Sequence, residues 1–232
     1  MFQIRRSKDR GQFDHGWLKT AHTFSFGDYL APEYTRFRKL RVMNEDFIAP
    51  GKGFGTHPHH DMEILSYVLS GRLRHKDSMG NEQTIEAGEF QCMTAGSGIT
   101  HSEFNPSSTQ TTHLYQIWIF PDSKGLEPGY QQQRFDSADV NQKFVLVASP
   151  DSHEQSLPIH QDAKVFLSRP LPETQLQYTI ASKRHLWLQV LAGSIRIGND
   201  ELHAGDGIAI SEEPMLQLTA INDSQLMLFD LP

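Results

Sequence analysis

The sequence predicts an all-β protein made of two copies of one unit. Short runs of β-forming residues recur at 64–69, 83–85, 90–93 and 114–120, with glycine-containing turns between them. No long helical period interrupts these runs in the first half of the chain. The segment Val68-Leu-Ser-Gly71 returns 122 residues later as Val190-Leu-Ala-Gly193, and Glu86-Ala-Gly-Glu89 returns 117 residues later as His203-Ala-Gly-Asp206. Short strands at this spacing are typical of sandwiches and barrels.

Within the first copy, residues 23–26 alternate between polar and aromatic side chains, which predicts a strand with one buried face. The glycines of residues 51–56 predict a bend before the first histidine pair, because glycine adopts backbone conformations that other residues avoid. Residues 77–81 predict a hairpin tip.

Residues 121–134 combine prolines, glycines and glutamines, which predicts a linker between the copies. Residues 137–143 predict a short helix, and residues 144–147 the strand that follows it. We therefore expect domains at 1–135, carrying the candidate metal ligands, and at 136–232, which lacks them.

Composition limits the kind of protein. The chain has 232 residues, of which 38% are hydrophobic and 21% charged, as in ordinary globular proteins. Its net charge of −7 disfavours direct nucleic-acid binding, because phosphates carry the same sign. No apolar run resembles a signal peptide or a membrane span, and the one cysteine, Cys92, excludes an intrachain disulfide. We expect a cytoplasmic protein in which Cys92 is a small buried residue.

Two pairs of side chains carry the candidate chemistry. His57 and His59 are two residues apart, as are His101 and Glu103, and residues two apart on a strand point to the same face. Both pairs can thus converge on one ion. Three imidazoles and one carboxylate suit Fe, Mn, Ni, Cu or Zn, and leave positions free for small molecules. Iron(II) would suit dioxygen chemistry, whereas zinc would favour Lewis-acid or hydrolytic chemistry.

The second copy lacks these ligands. The repeat offsets place Thr179 and Ala181 at the positions of the first pair, and Leu218 and Ala220 at those of the second. None of these side chains binds a metal ion strongly, so we expect one metal site per chain.

The glycine framework around these ligands resembles the two cupin motifs. The segments His57-Pro-His-His-Asp-Met-Glu63, Asp77-Ser-Met-Gly80 and Met93-Thr-Ala-Gly-Ser-Gly-Ile-Thr-His-Ser-Glu103 resemble the pirin family more specifically, although Cys92 stands where many pirins have tryptophan. The resemblance implies a bicupin, two antiparallel β-barrels (jelly-roll type) that face each other, with iron in the N-terminal barrel. It also implies that the ligands are His57, His59, His101 and Glu103, rather than Glu63.

Several bacterial pirins are quercetin 2,3-dioxygenases, so the resemblance implies a metal-dependent oxidoreductase that opens the central ring of a flavonol with O2 and releases CO. Glu103 would accept the proton of the flavonol 3-hydroxyl. The resemblance favours Fe(II) as the bound metal ion, and Cu, Ni, Mn and Zn are alternatives.

Two other functions stay open at this point. Eukaryotic pirins are linked to transcription factors, which implies a metal- or redox-sensing regulatory protein with a protein partner. The breadth of cupin functions also leaves a metal-dependent isomerase or sugar-binding protein. We expect a monomer, because the duplication already supplies two domains within one chain.

Overall fold

The structure is a computed structural model that describes residues 1–136 and 138–232. The first part of the chain forms β1 (Phe2–Arg5), β2 (Gly11–Asp14), β3 (Leu18–His22), β4 (Leu40–Ile48), β5 (Gly53–His59), β6 (Glu63–Ser70), β7 (Arg72–Asp77), β8 (Glu82–Glu86), β9 (Glu89–Thr94), β10 (Ile99–Phe104), β11 (Thr112–Ile119) and β12 (Gly129–Arg134). The second part forms β13 (Val145–Ser149), β14 (Leu157–Pro158), β15 (Lys164–Ser168), β16 (Gln175–Thr179), β17 (His185–Ala192), β18 (Ser194–Ile197), β19 (Asp200–His203), β20 (Gly207–Ile210), β21 (Met215–Ala220) and β22 (Gln225–Leu231).

Helix is confined, in the described parts of the chain, to three 3-10 turns at Ser7–Asp9, Ala138–Asn141 and His153–Gln155. The predicted all-β class is therefore confirmed. No helix of the described residues is long and apolar enough to cross a membrane.

The N-terminal compact unit comprises residues 11–134 and 157–161. Its larger sheet has the order β12-β9-β6-β11-β4-β3-β2, and its smaller sheet has the order β5-β10-β7-β8. A cluster of apolar side chains from both sheets packs between them, because alternate residues of each strand face inward. Its buried members are Leu18, Ile48, Val68, Leu73, Ile85 and Leu114.

A row of polar residues crosses the larger sheet of this unit. Strand pairing places His22 opposite Asn44, Asn44 opposite Gln116, Gln116 opposite Ser66, and Ser66 opposite Gln91. Polar residues at core positions carry a cost unless they are hydrogen-bonded, so such a row marks a functional interior rather than simple packing.

The C-terminal compact unit comprises residues 1–10, 135–156 and 162–232. Its strands run β1-β20-β17-β22-β15-β13 in one sheet and β16-β21-β18-β19 in the other, which repeats the strand order of the N-terminal unit. Gly71 and Gly193 have φ of 78° and 76°, so corresponding turns share one left-handed conformation. The predicted duplication is confirmed, and a bicupin fold results.

The predicted domain boundary after residue 135 remains a proposal, but the compact units differ from it at the N-terminus. Strand β1 pairs with β20 along its whole length, and residues 1–10 therefore group with the C-terminal unit. The pattern of residues 1–10 alone does not specify this pairing, because an edge strand can add to any open sheet edge.

Three local predictions need correction. Strand β3 ends at His22, and residues 23–26 form a buried loop. In this loop the backbone N–H groups of Thr23 and Ser25 donate hydrogen bonds to the carbonyl oxygens of Met43 and Tyr34. The predicted linker is wrong over Gly129–Arg134, because that segment pairs with β9 as an edge strand. The predicted bend at 51–56 is shorter, since β5 begins at Gly53.

Other predictions are confirmed. The hairpin tip at 77–81 joins β7 to β8. The short helix at 137–143 is a 3-10 turn, Ala138–Asn141, while Ser137 lies outside the described residues. Cys92 is 3% exposed, and burial raises the pKa of its thiol, which is the behaviour of an unreactive packing residue.

Candidate metal centre

Neighbouring strands bring the three predicted histidine ligands together. In the antiparallel pair β5–β10, His57 lies opposite His101 and His59 lies opposite Ile99, so the three histidine side chains share one face. Nitrogen atoms of His57, His59 and His101 all lie within 4.8 Å of one another. The Nε2 atoms of His57 and His101 are 3.0 Å apart. Three imidazoles therefore meet at one point of the barrel interior.

A register shift positions Glu103 relative to these histidines. One extra residue of β5 enters the pairing between His101 and Glu103, so that Glu103 lies opposite Phe54. Gly53 permits the close approach that follows, because a Cβ atom there would lie 2.1 Å from the carbonyl oxygen of Glu103. Packing against the backbone of Glu103 thus requires glycine at position 53.

The protonation of the histidines suits a metal ion. His57 donates its Nδ1–H to the carbonyl oxygen of Gly55 at 2.8 Å, which leaves Nε2 unprotonated toward His101. Burial, aided by the neighbouring imidazoles, lowers the pKa of His59 to about 4 and that of His101 to about 3. Both rings are neutral at pH 7, so their lone pairs are available to a cation.

The distances fit a divalent first-row ion. Two nitrogen donors bound at about 2.1 Å and at a right angle lie about 3.0 Å apart. The Nε2 separation of His57 and His101 has this value. A mixed set of imidazole and carboxylate donors is the set such ions accept.

Glu103 is held in place by two side chains of the larger sheet. It is 1% exposed, it accepts a hydrogen bond from Nε2 of Gln116 at 2.9 Å, and the hydroxyl of Ser66 lies 3.4 Å from its other oxygen. Burial raises the pKa of this carboxyl, although nearby histidines and Gln116 act in the opposite direction. A carboxylate oxygen of Glu103 lies within 4.8 Å of nitrogens of His75 and His101.

His75 and Asp77 are site residues that the sequence analysis did not single out. His75 Nε2 lies 3.0 Å from Asp77 Oδ2, and both side chains are fully buried. His75 Nδ1 lies 3.5 Å from Nδ1 of His101. The signal was present, since His75-x-Asp77 has the same two-residue spacing as the two ligand pairs, on a strand of alternating burial.

Asp77 is itself anchored at the hairpin. It accepts hydrogen bonds from the backbone of Met79 and Asn81 at 2.9 and 3.1 Å, and from the Asn81 side chain at 2.9 Å. Burial alone would raise its pKa, but the hydrogen bonds from His75 and Asn81 outweigh burial and hold the pKa below the ordinary value. A carboxylate therefore faces His75.

Three other residues with side chains that can bind a metal lie outside the cluster. The His60 side chain is 81% exposed, and His113 Nε2 is 2.9 Å from Glu45 while its ring stacks on Phe47. Glu63 is paired with Thr94 at 3.0 Å and His160 at 3.3 Å.

The second copy has no comparable cluster among the residues that the structure describes. Leu218 and Ala220 are buried in β21, where the side chains of the unit form an apolar core.

A cavity of about 240 Å³ opens beside the histidines. Leu18, Phe26, Phe54 and Trp118 supply its apolar lining, and the ring of Trp118 meets His59 edge-on at 5.0 Å. The polar lining is Thr20, His22, Asn44, Asp46, His57, His59, Glu103 and Gln116. A largely apolar lining with a few polar groups is typical of a site for a small molecule.

Comparison with known proteins identifies the family. The Pirin family model matches residues 3–119, and the model of the quercetinase C-terminal cupin domain matches residues 146–231. The quercetin 2,3-dioxygenase of Escherichia coli (strain K12) is 48% identical over 232 residues, covering 100% of this chain and 99% of that protein.

The chain belongs to the pirin family.

Two solved pirin structures are close to this one. The crystal structure of YhhW from Escherichia coli has a TM-score of 0.96 and 48% identity, and covers 100% of this chain and 98% of that one. The same bacterial pirin in complex with nickel(II) has a TM-score of 0.95 and 47% identity, with coverage of 100% and 99%. A relative of this pirin thus binds a divalent transition metal.

Proposed function

We propose that this pirin is a metal-dependent dioxygenase that cleaves flavonols such as quercetin, opening the central ring with O2 and releasing CO. The observation that carries the proposal is the cluster of three imidazoles, of which His57 and His59 line, together with the buried Glu103, a cavity with aromatic walls. The name of the Escherichia coli relative, a quercetin 2,3-dioxygenase, supports the choice of substrate.

The proposed ligands are His57, His59, His101 and Glu103. We propose Fe(II) as the native ion, and the nickel(II) complex of the relative makes Ni(II) the first alternative, ahead of Cu, Mn and Zn. Bound there, the ion would supply Lewis acidity toward a substrate hydroxyl and, as Fe(II), redox chemistry toward dioxygen.

Glu103 is the proposed proton acceptor for the substrate hydroxyl. An ordinary glutamate, with a pKa of about 4.3, is a weak base. Burial raises the pKa of Glu103, which brings its basicity closer to that needed near neutral pH. The hydrogen bond from Gln116 fixes the direction of the carboxylate, so its oxygens need little reorganisation.

The remaining walls orient the substrate and exclude water. Phe26, Phe54 and Trp118 offer ring surfaces to a planar molecule, and Trp118 meets Phe26 edge-on at 5.3 Å.

The deciding experiment measures metal content and oxygen uptake together. Protein purified without oxygen is analysed for metal, then given quercetin and O2 while CO is measured. We expect near-stoichiometric metal, with oxygen uptake matched by CO. The His101→Ala variant should lose metal and turnover. The exposed His60→Ala variant, next to the ligand pair in sequence, should keep both.

Turnover that survives in His101→Ala would refute the proposed centre. Bound metal without turnover of any flavonol would instead favour the alternative, a metal- or redox-sensing protein that acts through a protein partner. The monomeric state, the cytoplasmic location and the lack of direct nucleic-acid binding remain predictions from the sequence.

A further inference from the structure

The cavity has a second polar wall that the proposed chemistry does not use. Strands β3 and β4 pair so that Thr20 lies opposite Asp46 and His22 lies opposite Asn44. Residues two apart on a strand share a face, and all four of these side chains line the cavity. Thr20, Asn44 and Asp46 are 6%, 3% and 4% exposed, so they belong to the interior of the barrel.

Two acceptor atoms of this wall have no donor within the described protein. Asn44 Oδ1 is buried and accepts no hydrogen bond, and the buried Thr20 hydroxyl, which lies near enough to Asp46 to donate to it, accepts none either. A buried acceptor without a donor destabilises the folded protein, so native proteins retain few of them. A ligand that fills the cavity therefore has to supply hydrogen-bond donors to these acceptors.

Asp46 gives the wall its charge. Burial raises its pKa to about 7; a hydrogen bond from the Thr20 hydroxyl acts against burial, and the negative charges of Glu103 and Glu45 act in the same direction as burial. The charged groups that act on Asp46 are thus all acidic. An anionic ligand would be repelled, whereas a hydroxyl that donates a hydrogen bond would be stabilised.

We propose that Thr20, Asn44 and Asp46 form a recognition site for hydroxyl groups of a neutral aromatic ligand. These hydroxyl groups are distinct from the one whose proton Glu103 accepts. This inference rests on the proposed function and defines its substrate class as polyhydroxylated. Its acceptors require hydrogen-bond donors, and the aromatic cavity lining selects a ring system that carries them.

An adjoining cavity provides room for such a ligand. Its volume is about 220 Å³, and it shares Leu18, Thr20, His22 and Phe26 with the first cavity. The Phe13 ring lies at this position, with its centroid 5.3 Å from that of His22. A molecule with two ring systems could therefore extend past Thr20 while one end stays at the histidines.

The test compares two flavonols under anaerobic conditions. Quercetin carries several hydroxyl groups, whereas 3-hydroxyflavone keeps only the 3-hydroxyl. Their dissociation constants for the metal-loaded protein are measured by calorimetry. We expect wild-type protein to prefer quercetin by about tenfold or more, as for hydrogen bonds to a charged group.

Three variants test whether the preference for quercetin over 3-hydroxyflavone comes from Thr20, Asn44 and Asp46. Asn44→Leu, Asp46→Asn and the isosteric Thr20→Val should each reduce it by about threefold or more, with little change in the affinity for 3-hydroxyflavone. Lys19→Gln, whose exposed side chain lies on the same strand, should leave the preference unchanged. Thr20→Val keeps the test decisive if Asn44→Leu fails to fold.

Each outcome separates this inference from the proposed function. An unchanged preference in all three variants, equal binding of the two flavonols by wild-type protein, or no binding of either would overturn the recognition site. Absence of oxygen uptake with a retained, wall-dependent preference would overturn the dioxygenase function and leave the recognition site standing.

Discussion

Replacing Asp77 with Asn tests how the barrel holds His101. For His101 to present Nε2 to a cation, its proton has to lie on Nδ1, which faces Nδ1 of His75 at 3.5 Å. His75 leaves that nitrogen unprotonated because its Nε2–H donates to Asp77 at 3.0 Å. Asparagine can place an N–H group where the carboxylate oxygen stood, and His75 would then move its proton to Nδ1.

The magnitude follows from burial and charge. His75 and Asp77 are fully buried, so their hydrogen bond is charge-assisted in a site that water does not reach. Such bonds contribute about 1.5–3 kcal/mol. Loss of the group that orients a metal-binding histidine usually lowers metal affinity by about 10–100-fold, or about 1.4–2.7 kcal/mol. The two estimates agree, and we expect a loss in this range.

The assay is competitive titration of the metal-free protein with Ni(II) against a chelator of known affinity. Asp77→Asn should retain its hairpin, because the oxygen that accepts the backbone N–H groups of Met79 and Asn81 remains. Thermal unfolding of the metal-free variant checks this. The exposed Asp200→Asn is the matched control. An Asp77→Asn protein that is folded and binds Ni(II) within twofold of wild type would refute the role of this pair in orienting His101.

Three further predictions concern single residues. Glu103→Gln should keep the fold and lower quercetin turnover by about 100-fold or more, measured as oxygen uptake, because it removes the proton acceptor; unchanged turnover would exclude that role. Gly53→Ala should lower the free energy of unfolding by about 1–3 kcal/mol in denaturant titrations, since its Cβ would lie 2.5 Å from Cα of Phe104; a stability equal to wild type would contradict the close approach. Asp46 has a folded-state pKa raised from 3.8 to about 7, so its contribution to stability is full below pH 3.8 and is lost as the pH rises to about 7. Asp46→Asn should therefore gain about 3 kcal/mol relative to wild type between pH 5 and pH 8 in denaturant titrations, and a constant difference would show that Asp46 is not perturbed.

Much of the fold could be predicted because its signals are local. Glycines at the ends of β6 and β17 mark equivalent turns, and they show the duplication without any knowledge of contacts. Residues 23–26 misled the prediction because their alternation of polar and aromatic side chains imitates a strand. In this segment, backbone hydrogen bonds to Met43 and Tyr34, which lie further along the chain, take the place of regular strand pairing.

The structures of the edge strands β1 and β12 also could not be predicted from their local sequence. Strand β12 lies in a segment whose composition predicts a linker, and it is a strand because the edge of β9 accepts it. Strand β1 pairs with β20 near the other end of the chain. Propensity within a short polar segment is weak, so the partner that is present decides its structure.

The sequence by itself determined which side chains share a face at the centre. A two-residue spacing fixes the relation of His57 to His59 and of His101 to Glu103, because side chains alternate along every strand. Only the tertiary structure decided what surrounds them. The strand order β5-β10-β7-β8 brings His75 beside His101, and the pairing of β4, β11 and β6 brings Asn44, Gln116 and Ser66 into one row. These neighbours come from strands far apart in the chain, and strand pairing rather than spacing places them together.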